Sequence, residues 1–167
     1  MQDLAPKGDW QMAAILGAQD EKVENLCKKV TDGFVVPANY NCPGQIVVTG
    51  DAKGISNLKE LAEVEGIRKF RILKTAGPFH TEKLIDSSNA LRKELENIKI
   101  HKFESKVVKN LDGEIYDDSD DIKDILAKHI INPVRFSKSL KKMKEFGVDE
   151  FIEVGPGKTL TGFVKRI

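Results

Sequence analysis

The chain has 167 residues, with 27 Lys and Arg against 26 Asp and Glu, a net charge of +1, and 40% hydrophobic residues. That length suits one ordinary domain or two small ones with a real core, and the apolar content of its periodic segments excludes disorder. The charge balance excludes a nucleic-acid binder that works through bulk basicity, and no apolar run approaches the ~20 residues a membrane helix needs. Residues 1–6 have neither the basic start nor the apolar stretch of a secretory signal. Cys27 and Cys42 form no Cys-x-x-Cys pair. They fit reduced thiols in the cytoplasm and leave a single disulfide open.

In chain order, residues 11–16 (QMAAIL) read as a short buried strand closed by Gly17. Asp20 is placed to cap a helix reaching about residue 30, with Val23, Leu26, Cys27 and Val30 on one face. A second strand begins at residues 34–36 and continues through Asn39, Tyr40 and Asn41. Cys42-Pro43-Gly44 supplies a tight turn, and residues 45–50 return as the partner strand of a hairpin. Ile55, Leu58, Leu61, Ala62 and Val64 fall mostly on one face of a helix ending near Gly66. Residues 69–73 then alternate charged and apolar side chains, as a half-buried strand does. The order over residues 11–74 is therefore β-α-β-β-α-β. That is the ferredoxin-like arrangement of two helices on one face of a four-stranded antiparallel sheet.

Beyond residue 74 the pattern changes. Residues 81–98 predict a helix with Leu84, Leu91, Leu95 and Ile98 inward, and residues 105–108 are a strand candidate. Residues 120–131 predict a helix with Ile122, Ile125, Leu126 and His129 on one side. Asn132 and Pro133 fit the cap and first turn of a further helix to about Phe146. Residues 151–154 (FIEV) predict a strand that needs neighbours on both edges, and Gly155-Pro156-Gly157 turns into a last helix. The span 75–167 thus reads as part of a larger parallel sheet whose other strands are missing.

Three histidines, at 80, 101 and 129, match no metal-ligand spacing. The loop 75–81 (TAGPFHT) brings His80 beside a helix start, where the dipole favours a neutral ring able to take a proton from an alcohol or thiol. His101 lies in a charged surface stretch, and His129 reads as a packed residue on a helix face. Gly155 to Thr159 resembles the end of a P-loop, but Ile152 stands where the first glycine is required and Pro156 removes an N–H. Lys138, Lys141, Lys142 and Lys144 form either a solvated helix face or a docking patch for an acidic partner. No serine carries the flanking glycines of a nucleophile elbow.

Five segments, in order, carry a family resemblance: MAAILG at 12–17, NYNCPGQIVVTG at 39–50, GPFHTEKL at 77–84, INPVRFSKSL at 131–140 and EVGPGKTLTGFVKRI at 153–167. Together they resemble the malonyl-CoA:acyl carrier protein transacylases of fatty-acid synthesis, within the wider acyltransferase family. The resemblance implies an α/β-hydrolase-like domain interrupted by a ferredoxin-like subdomain. The fold class is then mixed α/β, with residues 11–74 as the small subdomain and 75–167 as part of the large one. It implies a ping-pong transfer in which a serine takes malonyl from coenzyme A and acyl carrier protein removes it, with no cofactor and no metal. His80 matches the catalytic histidine. His129 stands where the family usually has Gln, whose main-chain carbonyl orients that imidazole. Asn39 and Asn41 match hairpin asparagines that face the cleft.

The family's GHS-x-G nucleophile segment and the arginine that holds the malonyl carboxylate have no counterpart here; both would lie upstream of Met1. The chain therefore looks like the C-terminal portion of such an enzyme, inactive alone, with a missing N-terminal half or a second copy of itself as partner. The alternative is a non-catalytic ferredoxin-like module that binds acyl carrier protein or another acidic protein.

Overall fold

A computed structural model describes residues 4–74 and 77–167. Thr75 and Ala76 of the loop before His80 lie outside the described residues. The first strand, β1 (Trp10–Leu16), sends Ala13 and Ile15 to one face and Met12 and Ala14 to the other. Next come α1 (Asp20–Lys29), β2 (Val35–Cys42), β3 (Gln45–Asp51), α2 (Ala52–Val64) and β4 (Lys69–Ile72). All pairings are antiparallel and the strand order is β2-β3-β1-β4. This is the β-α-β-β-α-β order that periodicity predicts, with Gly44 at φ +72° in the β2–β3 turn. Gln19, not Asp20, is the N-cap of α1.

The sheet has two unlike faces. Val23, Leu26 and Cys27 of α1 and Ile55, Leu58 and Ala62 of α2 pack on Ala13, Ile15, Ile46 and Val48. Each large side chain buried this way contributes about 1.5–3 kcal/mol, so this face holds the first half of the chain together. The opposite face carries a smaller apolar cluster of Met12, Ala14, Ala38 and Val47, partly covered by Leu16, Leu73 and Phe79. Both cysteines are free and buried, and burial pushes the Cys27 thiol up to about 12.

Asp51 fixes the β3–α2 corner. Its carboxylate accepts from Gly54 N at 2.7 Å, capping α2, and from Phe34 N at 2.9 Å. The Phe34 backbone can come this close only because the residues beneath it lack side chains. A Cβ on Gly50 would lie 2.2 Å, and one on Gly54 2.3 Å, from Phe34 O. Alanine at 54 gains up to about 1 kcal/mol of helix propensity, which a rigid backbone clash of that size outweighs. Gly54→Ala should therefore lower stability by about 1–3 kcal/mol in urea unfolding. Gly162→Ala, where a Cβ meets nothing within 4 Å, should leave it unchanged or raised.

After Ile72 the described residues contain no further strand. A 3-10 turn (Glu82–Leu84) leads into α3 (Ile85–Glu96), followed by α4 (Ile122–Ile131), α5 (Phe136–Glu145) and α6 (Thr159–Val164). Several expectations need correction. Residues 105–108 form a single bridge, Val108 to Ile115, rather than a strand. Residues 151–154 adopt no regular structure, because no strand among the described residues lies beside them. Ile152 and Val154 are 79% and 93% exposed as a result. In α3 the buried residues are Ser87 and Ser88, whereas Ile98 lies past the helix and is 53% exposed. The cause is polar: Ser88 Oγ donates to Ala127 O at 2.7 Å and so turns this side of α3 toward α4. Finally, Asn132 closes α4, and α5 begins at Phe136 with Arg135 as its N-cap.

Candidate active site

The site is built where α4 stops. The last carbonyls of any α-helix lack an intrahelical partner, and here the sequence enforces this. The natural donor to His129 O would be the N–H of residue 133, which is Pro133 and has none. Proline also disfavours helical backbone in the residue before it, and Asn132 is extended at φ −122°, ψ 153°. Val134 then joins the free edge of the sheet: it donates to Ala38 O at 2.9 Å and accepts from Tyr40 N at 2.8 Å. Arg135 lies with its guanidinium 4.6 Å from the Tyr40 ring centre. The end of α4 is thereby fixed to β2.

His80 fills the position so created. Its Nδ1 lies 3.1 Å from His129 O and 3.2 Å from Asn132 O. A carbonyl oxygen only accepts, so Nδ1 carries the hydrogen and donates to both. In the neutral ring that leaves Nε2 with a free lone pair. The sequence had suggested a helix start as the ring's electrostatic partner. The turn after His80 is only the three-residue Glu82–Leu84, and the ring instead meets the C-terminal end of α4.

The backbone at His80 is unusual, with φ +60°, the only described non-glycine residue in that region. Such a conformation persists where surroundings over-determine it. Thr81 is buried, donates from Oγ1 to Pro78 O at 2.7 Å and accepts from Lys83 N at 3.3 Å. A hollow of roughly 570 Å³ opens beside His80, walled by Val36, Pro37 and Tyr40 of β2 and by Asn132 and Pro133. A smaller one of roughly 130 Å³ is lined by Phe79, His80, Leu84, His129 and Ile130, with the two histidine ring centres 5.4 Å apart.

The structure brings His80 and His129 together, through the His80 ring and the main-chain oxygen of His129. Asn39 and Asn41 are half-buried on β2, the strand that walls the larger hollow, with Asn39 bridged to Val134 through its backbone. Neither asparagine is among the residues that line the two hollows at His80. His101 is exposed. Lys138 and Lys142 share Glu114 at 3.0 and 2.9 Å, which ties two of the four α5 lysines to one carboxylate. At the glycine-rich turn, Glu153 accepts from the backbone N–H groups of Leu160 and Thr161 at 3.1 and 2.8 Å. Its carboxylate takes the donors that a phosphate would need. The feature missed from sequence is the role of Asn132-Pro133 as a helix end, for which the proline's missing N–H was the available signal.

No protein-family model matches the chain. The malonyl CoA-acyl carrier protein transacylase of Bacillus subtilis (strain 168) is 38% identical over 169 residues, covering 100% of this chain and 53% of the relative. A crystal structure of the Clostridium perfringens transacylase superposes with TM-score 0.93 at 38% identity, over 100% of this chain and 53% of that one. From end to end, the chain is similar to half of a malonyl-CoA:acyl carrier protein transacylase. A third likeness, at TM-score 0.91 and 30% identity, is to a malonyl-transacylase in complex with its type II polyketide acyl-carrier protein, over 99% of this chain and 54% of that one. The chain thus spans about half the length of the curated relatives it matches.

The side chain of His129 has its own consequence. Its Nε2 is buried without a partner. Burial first, and then the neighbouring His80, hold the His129 imidazole below its ordinary value of 6.5. The folded state therefore favours neutral His129, and the unfolded chain binds the extra proton as pH falls below about 6.5. This share of stability is present above that pH and is lost on acidification. His129→Gln, neutral throughout, should flatten the fall in denaturation midpoint between about pH 7 and pH 5. An unchanged slope would assign the acid loss to other groups.

Proposed function

We propose that this chain supplies the base-bearing, C-terminal half of a malonyl-CoA:acyl carrier protein transacylase. The observation that carries the reading is the two-carbonyl anchor on His80 Nδ1, which sets Nε2 free as a proton acceptor. The nucleophile is a serine on a segment outside these 167 residues.

His80 Nε2 takes the serine proton as the serine oxygen attacks the malonyl thioester. The C–S bond breaks, coenzyme A leaves as its thiol with that proton, and malonyl remains as a serine ester. In the second half-reaction the same nitrogen takes the proton of the carrier-protein thiol. That sulfur attacks the ester, and the serine oxygen leaves with the proton. In each half-reaction the positive charge acquired by the ring is shared with Nδ1–H, which faces two carbonyl oxygens. Hydrogen bonds from a charged donor are about twice as strong as neutral ones, so the anchor strengthens as the proton arrives. His129 acts through its main-chain oxygen, which explains how a family position usually held by Gln accepts another side chain. Asn39 and Asn41 do not line the hollow at His80 themselves; on the family resemblance, they are assigned to cleft wall farther along β2, the strand whose Val36, Pro37 and Tyr40 border that hollow.

A base without its nucleophile forms no acyl-enzyme. Incubated alone with malonyl-CoA, the 167-residue chain should show no malonyl adduct by intact mass. Mixed with the serine-bearing half of the Bacillus subtilis relative, it should restore malonyl transfer to acyl carrier protein. His80→Gln should lower that restored rate by about 10²–10⁴-fold. A His80→Gln mixture as active as the parent would overturn the assignment. Carrier binding without transfer would favour the non-catalytic module.

A further inference from the structure

We infer that the hydroxyl of Thr49 is a positioning element for His80, acting through the loop that carries it; the inference rests on His80 being the base. Thr49 lies on β3 between Met12 of β1 and Val36 of β2 in register, on the sheet face away from the two helices. It is fully buried, at 0% exposure, beside an apolar cluster of Met12, Ala14, Ala38 and Val47. A buried hydroxyl in such a place is unfavourable unless it is bonded. The nearer of the two acceptors in reach is Gly77 O at 3.1 Å, three residues before His80; the other is Gln11 O at 3.5 Å.

Gly77 is suited to that contact. It has φ +152°, and a Cβ there would lie 2.7 Å from the Phe79 ring. Phe79 can fold back over it and pack on the sheet-face cluster. Phe79 supplies non-directional adhesion, which permits sliding and rotation. The Thr49 bond is directional, and with Thr81 Oγ1 on Pro78 O it fixes the peptide planes on either side of Pro78, the second of which leads into Phe79. His80 follows two residues after Pro78, in its left-handed conformation. Released from Thr49, the loop keeps its apolar dock but loses the constraint that aims Nδ1 at His129 O and Asn132 O.

The test uses the chain itself, with its imidazole nitrogens labelled and observed by long-range proton–nitrogen correlation. In the parent, neutral His80 should show one protonated nitrogen, Nδ1, and one bare nitrogen, Nε2, with well-separated shifts. Thr49→Val, which keeps the shape, and Thr49→Ala should both collapse that separation toward an exchange average, and Thr49→Ser should restore it. Urea midpoints taken alongside show whether the variants remain folded. A separation retained in folded Thr49→Val would overturn the inference. Loss of fold in both Val and Ala variants would also overturn it, by making the hydroxyl a stability element. The complementation result for His80→Gln is independent of this readout, so failure of the tether and failure of the base assignment are separately visible.

Discussion

The contact on which the site depends is the one between an imidazole N–H and the last carbonyls of a helix. It exists because α4 ends at Ile131 and Pro133 offers no N–H to His129 O. Were the helix to continue for one more residue with an ordinary amide, that oxygen would be consumed by the ladder and the ring would lose its anchor. The end of α4 is in turn held by Val134, which extends the sheet at β2 through two backbone bonds. A feature of the second half of the chain is thus fixed by the edge of a sheet built in the first half. Nothing in this coupling needs side-chain chemistry beyond the ring itself.

Energetically, the base is held against a real opposing cost. A left-handed non-glycine residue costs roughly 1–2 kcal/mol. Against it stand the hydrogen bonds of Thr81 and the double acceptor on Nδ1, each worth about 0.5–1.5 kcal/mol net when neutral, together with the docking of Phe79. The balance favours the observed conformation modestly in the resting state. It favours it more when the ring is charged, because the Nδ1 bonds then strengthen while the backbone cost is unchanged. The geometry is therefore best supported at the point in a proton transfer where displacement of the ring would do most harm.

How legible this was in the sequence divides along a physical line. The elements of residues 10–72 were readable because their signals are local: Val23, Leu26 and Cys27 recur at helix spacing, and Pro43-Gly44 marks a hairpin. The span 151–154 misled because a strand's stability resides in its neighbours, and a short run apolar on both sides cannot report that no strand lies beside it among the described residues. Asn132-Pro133 misled in another way, since the same dipeptide suits a helix start and a helix stop. The choice between them is decided by Val134 bonding to β2, a contact across 96 positions of sequence. The meeting of His80 with His129 O was visible only through family resemblance, because 49 residues separate the two partners. Thr49 was not visible at all; a single hydroxyl within QIVVTG looks like an ordinary strand residue until the loop is seen above it.

The two halves of the chain also differ in how well their apolar residues are buried. Around α1 and α2 the large apolar residues on the helix-covered face of the sheet are buried. Around α6 the reverse holds, with Ile152 and Val154 exposed beside a hollow of roughly 420 Å³ lined by Phe136, Leu140, Met143 and Leu160. Even so, this region keeps its shape. Glu153, between the two exposed residues, turns its carboxylate onto the start of α6, accepting from Leu160 N, Thr161 N and Thr161 Oγ1. Those bonds, the Thr161 hydroxyl foremost, hold its carboxyl below the usual range, as expected for an anion at a helix N-terminus. Ile152 and Val154, the neighbours of Glu153 in sequence, stay exposed to solvent. One polar residue thus ties the segment to its own helix and leaves its apolar neighbours open.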